Sequence, residues 1–285
     1  MKTKLWRTPA SGDPAIAITA STELLEPLAA LCERATLTIL SHYHSDQQVA
    51  QDAKADKSPV TAADLESHAI IVDGLADFGL PVLSEEAPPT QAERQSWQQF
   101  WMVDPLDGTR EFLEGTGEFT INIALIDGHR ASFGMIAIPL SGEVFAGGPG
   151  LGAWHRKGGA WQAVQCRRVQ PGQTLVVTSS RRHRGQKLEQ CLSQLRDYAG
   201  EVDRRHAGSA LKFCELAAGR ADFYPRFAPC SEWDTAAGQA LLEGAGGAIV
   251  DLAGEPLRYN QRDSLLNPDF LAFADPACPV WAHIR

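Results

Sequence analysis

Apolar positions recur at helical spacing in two stretches near the start of the chain. The first runs from about Ser21 to Tyr43, and the second is entered at Thr61, where Leu65, His68, Ala69, Val72 and Ala76 share a face. Gly79 offers a stop for the second helix. From Leu80 the pattern changes to short β-branched or aromatic runs: Pro81 to Leu83, Phe100 to Val103, Phe119 to Ile126, Ser132 to Ile138 and Glu143 to Ala146, punctuated by Gly, Pro and Asp. This half is predicted to be helices packed on a largely antiparallel sheet. Cys166-Arg167-Arg168-Val169-Gln170-Pro171-Gly172 breaks the periodicity and marks a boundary. Beyond it, strands and helices alternate: Leu175 to Thr178; a helix with Leu188, Cys191, Leu192 and Leu195 on one face; a strand near Val202; a helix from Ser209; a strand at Ala221 to Tyr224; a helix from Thr235. Such alternation predicts an α/β layered unit. The expected organisation is an α+β domain over 1-168 and an α/β domain over 169-285. The glycine-rich run Gly147 to Gly152 opens no helix and is read as a hairpin turn, not a nucleotide loop.

Composition adds limits. A chain of 285 residues with 44% apolar content can bury two cores. Its net charge of −9 counts against nucleic acid or an anionic membrane as partners, because both need a broad basic surface. The apolar fragment Ala15 to Ile18 is short for a signal-peptide core, and no run of about 18 apolar residues occurs, so no transmembrane segment is expected. Cys32, Cys166, Cys191, Cys214, Cys230 and Cys278 lie far apart without a Cys-x-x-Cys pair, which points to reduced thiols and a cytoplasmic location. Peripheral contact with the inner face of a membrane and the oligomeric state stay open. His42 and His44 are read as surface residues. No Gly-x-Ser-x-Gly occurs, which sets aside the serine hydrolases that carry it.

The chemistry gathers at acids that end apolar strands. In Trp101-Met102-Val103-Asp104-Pro105-Leu106-Asp107-Gly108-Thr109-Arg110-Glu111-Phe112, a strand stops at Asp104 and turns into a short helix. Across Pro105, Asp104 and Asp107 are expected to converge from a tight turn with the Leu106 carbonyl between them. The N–H groups of Gly108 and Thr109 then start a helix, where an anion such as phosphate is favoured. Ser84-Glu85-Glu86 also follows an apolar strand, and Asp234 precedes the helix from Thr235. Each acid alone has an ordinary reading as a turn, a solvated corner or an N-cap. Together they imply cations, since like charges about 4 Å apart repel by roughly 4 kcal/mol at an effective dielectric near 20. Oxygen-only ligands favour Mg²⁺ over Mn²⁺ or Ca²⁺.

These residues resemble the inositol monophosphatase superfamily, whose pattern is Glu-Glu after a strand, Asp-Pro-(Ile/Leu)-Asp-Gly-Thr, then Trp-Asp-x-Ala-Ala-Gly. Lys54 to Asp64, Gly117 to Ala124, Leu211 to Cys214, Tyr224 to Phe227 and Glu232 to Gly238 are similar to its CysQ-type branch, the 3'(2'),5'-bisphosphate nucleotidases. The resemblance runs from about residue 20 to residue 275. It implies a layered α-β-α-β-α sandwich of the inositol monophosphatase and fructose-1,6-bisphosphatase type, with the site between its halves. It also implies that Glu85, Asp104, the Leu106 carbonyl, Asp107 and Asp234 hold two or more magnesium ions, with Mn²⁺ as a substitute and Li⁺ as an inhibitor. Asp64 and Thr109, with Glu85 and Asp104, carry the catalytic roles in this reading, and Gly108 and Thr109 hold the phosphate. Arg226 stands where inositol monophosphatases carry a glutamate, and an arginine there suits a second phosphate. Ser209, Lys212 and the run Arg181-Arg182-His183-Arg184 are further candidates for that pocket. The expected substrate is a small nucleotide, adenosine 3',5'-bisphosphate, or its sulfated analogue, in sulfur assimilation. Three alternatives are weighed: hydrolysis of inositol phosphate or fructose 1,6-bisphosphate at the same site; an aspartyl-phosphate route through Asp104 or Asp107, which the spacing opposes because aspartate-nucleophile phosphatases pair acids two apart and these are three apart around Pro105; and a non-catalytic phospholigand-binding protein.

Overall fold

A computed structural model describes residues 18–44, 51–53, 59–170, 172–182 and 185–284. Helix α1 (Leu25–Tyr43) follows a 3-10 turn. The short antiparallel pair β1 (Gln51–Ala53) and β2 (Pro59–Thr61) leads into α2 (Ala62–Leu75). Then come β3 (Val82–Ser84), α3 (Gln91–Arg94), β4 (Gln99–Asp107), α4 (Thr109–Leu113), β5 (Thr120–Asp127), β6 (Arg130–Ile138), β7 (Glu143–Gly148), β8 (Gly152–Lys157) and β9 (Ala160–Val164). Strands β3 to β9 form a seven-stranded sheet in chain order, antiparallel except where β3 runs parallel to β4. The remainder comprises β10 (Leu175–Ser179), α5 (Gln186–Ala199), β11 (Val202–His206), α6 (Leu211–Ala217), β12 (Phe223–Arg226), α7 (Ala236–Gly244), β13 (Ala248–Asp251) and β14 (Phe270–Phe273). Its five-stranded sheet has the order β11-β10-β12-β14-β13, parallel around β10 and antiparallel through β14.

Side-chain alternation along the strands explains the layering. On β4, Trp101 and Val103 face α1 and α2, where they join Leu28, Ile39, Ile71 and Leu75. Phe100 and Met102 face the other way, into a core with Phe213 of α6 and Ala237 and Leu241 of α7. Tyr224, Phe270 and Ala272 of the smaller sheet close that core from its far side. Helix α5 covers the outer face of the smaller sheet through Leu188, Leu192 and Leu195 against Val177, Phe223 and Leu271. Five layers result, helix-sheet-helix-sheet-helix. Because the centre of the large sheet is covered on both faces, β4, β5 and β6 read as continuous apolar runs.

The main departures from the sequence reading have physical causes. On α2 the buried face is Ala63, Asp64, Ser67, Ile71 and Leu75, while Leu65 is 52% exposed. The helix is rotated to turn Asp64 and Ser67 inward, so polar chemistry overrides the apolar stripe. Strands β8, β9, β13 and β14 were not anticipated. The outer pair β8 and β9 carries half-exposed, mixed residues with no clean alternation. The run Gly147 to Gly152 does form a hairpin, with Gly148 opposite Gly152. Helix α6 starts at Leu211, past Ser209, because Ser209 has a left-handed φ of 44°.

Helix α7 lies so close to β6 that a Cβ added at Gly134 would stand 2.7 Å from the Ala237 Cα. Backbone on both sides leaves no route of escape, so Gly134→Ala is expected to cost about 1–3 kcal/mol through overpacking. Gly185→Ala, whose Cβ meets nothing within 4 Å, should cost about 0.5 kcal/mol, the N-cap preference lost at the start of α5. Urea unfolding of the two variants checks the contrast.

Candidate active site

Strand β4 carries the centre of the site. Asp104 pairs with Asn122 and Asp107 with Thr120, so three steps on β4 face two on β5. The sequence reading placed a tight turn here; the strand instead continues to Asp107 through a bulge. Pro105 has no N–H for the ladder and is tolerated at such a position. The Leu106 N–H donates to Asp104 Oδ1 at 3.1 Å, and Ser67 Oγ donates to the Pro105 carbonyl at 2.8 Å. The reversal falls at Gly108, with φ 95°. A Cβ there would collide with Ser209 Oγ and lie 3.0 Å from the Glu118 carbonyl, so only glycine fits.

Three carboxylates from distant segments meet beside this bulge. Glu85 follows β3, its N–H bound to the Val103 carbonyl at 3.1 Å. Asp104 is on β4, and Asp234 ends the 3-10 turn Glu232–Asp234 that precedes α7. Each offers an oxygen within 4.8 Å of the others. Asp107 stands next to them: Asn122 Nδ2 donates to its Oδ2 at 3.2 Å, and Thr120 Oγ1 donates to Asn122 Oδ1 at 3.0 Å, which fixes the amide's orientation. Asp234 Oδ2 accepts from the Ser231 N–H at 2.9 Å and from Cys230 Sγ at 3.3 Å.

Burial and mutual repulsion dominate the electrostatics. Burial, then the Asp234 charge, pushes Asp107 up to about 7. Burial, then Glu85, pushes Asp234 up to about 6. Asp104 is raised well above the carboxylate range by burial and by Glu85, Asp107 and Asp234. An oxygen-only donor set, with Asp104 buried and the other acids half-buried around it, whose members resist ionising together fits a hard divalent cation, because positive charge relieves both penalties at once.

Asp64 and Thr109 meet across the bulge. Thr109 Oγ1 donates to Asp64 Oδ1 at 2.9 Å and lies 3.4 Å from the Leu106 carbonyl. Asp64 Oδ2 accepts from the Thr61 N–H at 2.8 Å and Thr61 Oγ1 at 2.6 Å, a capping box that holds the carboxylate still. Ser209 Oγ lies 2.8 Å from the Asp107 carbonyl and 2.7 Å from the Glu118 carbonyl. Lys212 is 3% exposed and donates to the Ser209 carbonyl at 2.6 Å and the Ala207 carbonyl at 3.2 Å, above the Tyr224 ring. Burial lowers its ammonium to about 8. Arg226 donates from Nε to the Ala228 carbonyl at 3.2 Å and from Nη2 to the Pro229 carbonyl at 2.8 Å. It borders a cavity of ≈ 360 Å³ with Ser179, Ser180, Leu188, Pro225 and Phe227. Arg181 pairs with Glu118, and Arg182 with Glu114 and Glu111. His183 and Arg184, with residues 54–58 of the family-like segment, lie outside the described residues. Thr120 and Asn122 lie in the family-like segment Gly117 to Ala124 but have no role assigned from sequence, and Ser67 and Cys230 are not site candidates there. Asn122 did leave a signal, a polar residue interrupting an apolar run.

The inositol monophosphatase family profile matches residues 21–279, and the chain belongs to that family. The 3'(2'),5'-bisphosphate nucleotidase CysQ of Escherichia coli (strain K12) is 42% identical over 249 residues, which is 87% of this chain and 98% of the relative. The protein of the same name from Haemophilus influenzae is 31% identical, covering 80% of this chain and 85% of that one. The crystal structure of CysQ from Bacteroides thetaiotaomicron, a bacterial member of the family, superimposes with a TM-score of 0.78 at 36% identity, over 87% of this chain and 97% of that one. The suhB structure from Bartonella henselae, at 24% identity and a TM-score of 0.71, shares the fold.

All six cysteines are free, and among the described residues no helix is long and apolar enough to cross a membrane.

Asp107 and Asp234 sit above their ordinary value of 3.8, so without cations the folded state binds more protons than the unfolded chain between about pH 4 and pH 7, and stability falls as pH rises through that window. Cation-stripped protein should therefore melt at a lower temperature at about pH 8 than at about pH 5.5, and a divalent cation that the cluster binds should raise the Tm more at the higher pH. Calorimetry with and without chelator reads both.

Proposed function

We propose that this chain is a Mg²⁺-dependent 3'(2'),5'-bisphosphate nucleotidase that removes the 3'-phosphate of adenosine 3',5'-bisphosphate, giving AMP and phosphate. The observation that carries the reading is the convergence of Glu85, Asp104 and Asp234 within 4.8 Å beside Asp107. The names of the curated relatives support the substrate class. The sulfated analogue and a place in sulfur assimilation belong to the same proposal, as do Mn²⁺ as a substitute ion and Li⁺ as an inhibitor.

Glu85, Asp104, the Leu106 carbonyl, Asp107 and Asp234 would hold the cations. Divalent ions bound there supply positive charge that neutralises phosphate and makes a water acidic enough to attack in line. The chain's own groups position that chemistry. Thr109 Oγ1, having donated its proton to Asp64 Oδ1 at 2.9 Å, presents a lone pair that can accept from the attacking water. The proton then has a path through Thr109 to Asp64, whose other oxygen is held by Thr61. The Gly108 and Thr109 N–H groups face the incoming phosphate where the chain reverses. Asn122 keeps Asp107 oriented. Burial of Asp104 and Asp64, each about 1% exposed, excludes bulk water that would screen these interactions.

Selectivity rests on the second half of the molecule, which supports treating 169-285 as the part that reads the substrate. The cavity beside Arg226 has the apolar surfaces of Leu188, Pro225 and Phe227 for a base and a guanidinium for a phosphate. Ser209 and Lys212 build the wall behind the Gly108 turn.

Phosphate release with Mg²⁺ should favour adenosine 3',5'-bisphosphate over inositol 1-phosphate, fructose 1,6-bisphosphate and AMP by about 100-fold in kcat/KM, near 3 kcal/mol. A lead by inositol phosphate would refute the substrate assignment while leaving the cation site intact. Arg226→Ala should lower kcat/KM for the bisphosphate about 10- to 100-fold and leave a monophosphate within about threefold. Equal losses on both substrates would show that Arg226 reads no second phosphate. Asp104→Asn should lower turnover of every substrate by about 1,000-fold or more; near-normal activity would exclude the cation cluster as the reacting centre.

A further inference from the structure

Asp234 is delivered by a short turn, and something must hold that turn against the repulsion of Glu85 and Asp104. The segment from Cys230 to Thr235 carries restraints of its own: the Ser231 N–H and Cys230 Sγ hold Asp234 Oδ2 at 2.9 and 3.3 Å, the Asp234 and Thr235 N–H groups donate to the Ser231 and Glu232 carbonyls at 3.2 Å, and Thr235 Oγ1 lies 3.2 Å from the Glu232 carbonyl. The Asn260 N–H holds the Glu232 carboxylate at 2.7 Å. The bonds that tie the Cys230 and Ser231 carbonyls to the rest of the fold come from a loop more than thirty residues further along the chain. The Asn267 N–H donates to the Cys230 carbonyl at 2.8 Å. Asn267 Nδ2 donates to the Ser231 carbonyl at 2.7 Å and to Thr235 Oγ1 at 2.9 Å. One residue therefore holds the backbone before Asp234 and the side chain of the residue after it. The adjoining Glu232 N–H donates to the Leu265 carbonyl at 2.8 Å.

The amide's orientation is informative. Asn267 Oδ1 is buried with no hydrogen-bond partner. An unpaired buried acceptor is unfavourable, and flipping the amide would bring its oxygen against the Ser231 carbonyl. The side chain keeps both donors on the turn and leaves its oxygen unsatisfied. We propose that Asn267 is a positioning residue for Asp234, clamping the Cys230–Thr235 turn so that this carboxylate stays in register with Glu85 and Asp104 for the cation. The inference rests on the cation-cluster reading of the site. Asn267 touches neither the cation nor the phosphate in this reading; it acts through Ser231 and Thr235.

Asn267→Ala removes two of the three bonds and keeps the backbone one. Mg²⁺ binding to the substrate-free protein, followed by isothermal titration calorimetry, should weaken about 10-fold, while kcat at saturating Mg²⁺ falls less than about threefold. Thr235→Val, which keeps its shape but loses the Asn267 anchor together with the hydroxyl's contacts to the Glu232 carbonyl and Tyr259, should weaken binding about threefold, and the double variant should fall short of the two summed effects because the two share an interaction. Thr235→Val also serves if Asn267→Ala does not fold. Ser132→Ala, which loses the hydroxyl bond to the Leu125 carbonyl at 3.1 Å away from the turn, controls for stability and should leave Mg²⁺ binding unchanged. Mg²⁺ affinity within twofold of the parent in Asn267→Ala and Thr235→Val, with only Tm lowered, would overturn the clamp. Asp234→Asn separates the two levels: if it weakens Mg²⁺ binding while the clamp variants do not, only the clamp fails. If Asp234→Asn itself leaves Mg²⁺ affinity unchanged, the cation-cluster reading beneath it fails.

Discussion

Repulsion among closely spaced carboxylates is the constraint on which the rest of this structure depends. Glu85, Asp104 and Asp234 stand within 4.8 Å of one another, with Asp107 alongside; Asp104 is buried and the others are half-buried around it. The fold brings the group together from three segments: Glu85 after β3, Asp104 and Asp107 on either side of the bulge in β4, and Asp234 before α7. Glu85 is tied to β4 by its backbone, Asp104 sits in a bulge pinned by Ser67, and Asp234 comes from a turn tied to a distant loop.

The five layers serve the same end. Helix α7 is packed between the two sheets and starts at the residue after Thr235, so the C-terminal half reaches the site through a helix buried on both sides. The close approach of Gly134 and Ala237 sets the height of that helix above the large sheet, and with it the distance of Asp234 from β4. Core packing and site geometry are therefore one problem here: a shift of the helix within the core is also a shift of a carboxylate within the cluster.

The sequence made much of this legible, for identifiable reasons. Acids that end apolar runs, a proline between two of them and a glycine that only a reversal requires are local signals, and they located Glu85, Asp104, Asp107, Gly108 and Asp234 on the elements where they are found. The five-layer sandwich followed from the family resemblance and is the observed arrangement. What escaped depends on tertiary direction. The apolar stripe on α2 pointed to Leu65, whereas the helix turns Asp64 and Ser67 inward to meet Thr109 and Pro105. The bulge in β4 looked like a turn because proline and register cannot be told apart without the partner strand. Asn267 gave no sign at all, since its partners lie at Cys230, Ser231 and Thr235, and a lone Asn-Pro in a loop reads as an ordinary turn.

The separation of the three carboxylates along the chain also orders events during synthesis. Glu85 and Asp104 emerge from the ribosome well over a hundred residues before Asp234, and Asn267 follows later still. A nascent chain that has folded only its large sheet presents Glu85, Asp104 and Asp107 without Asp234. The cluster is therefore completed only when the second sheet and the helix behind Asp234 have been made and docked, so its assembly reports that the two halves have come together.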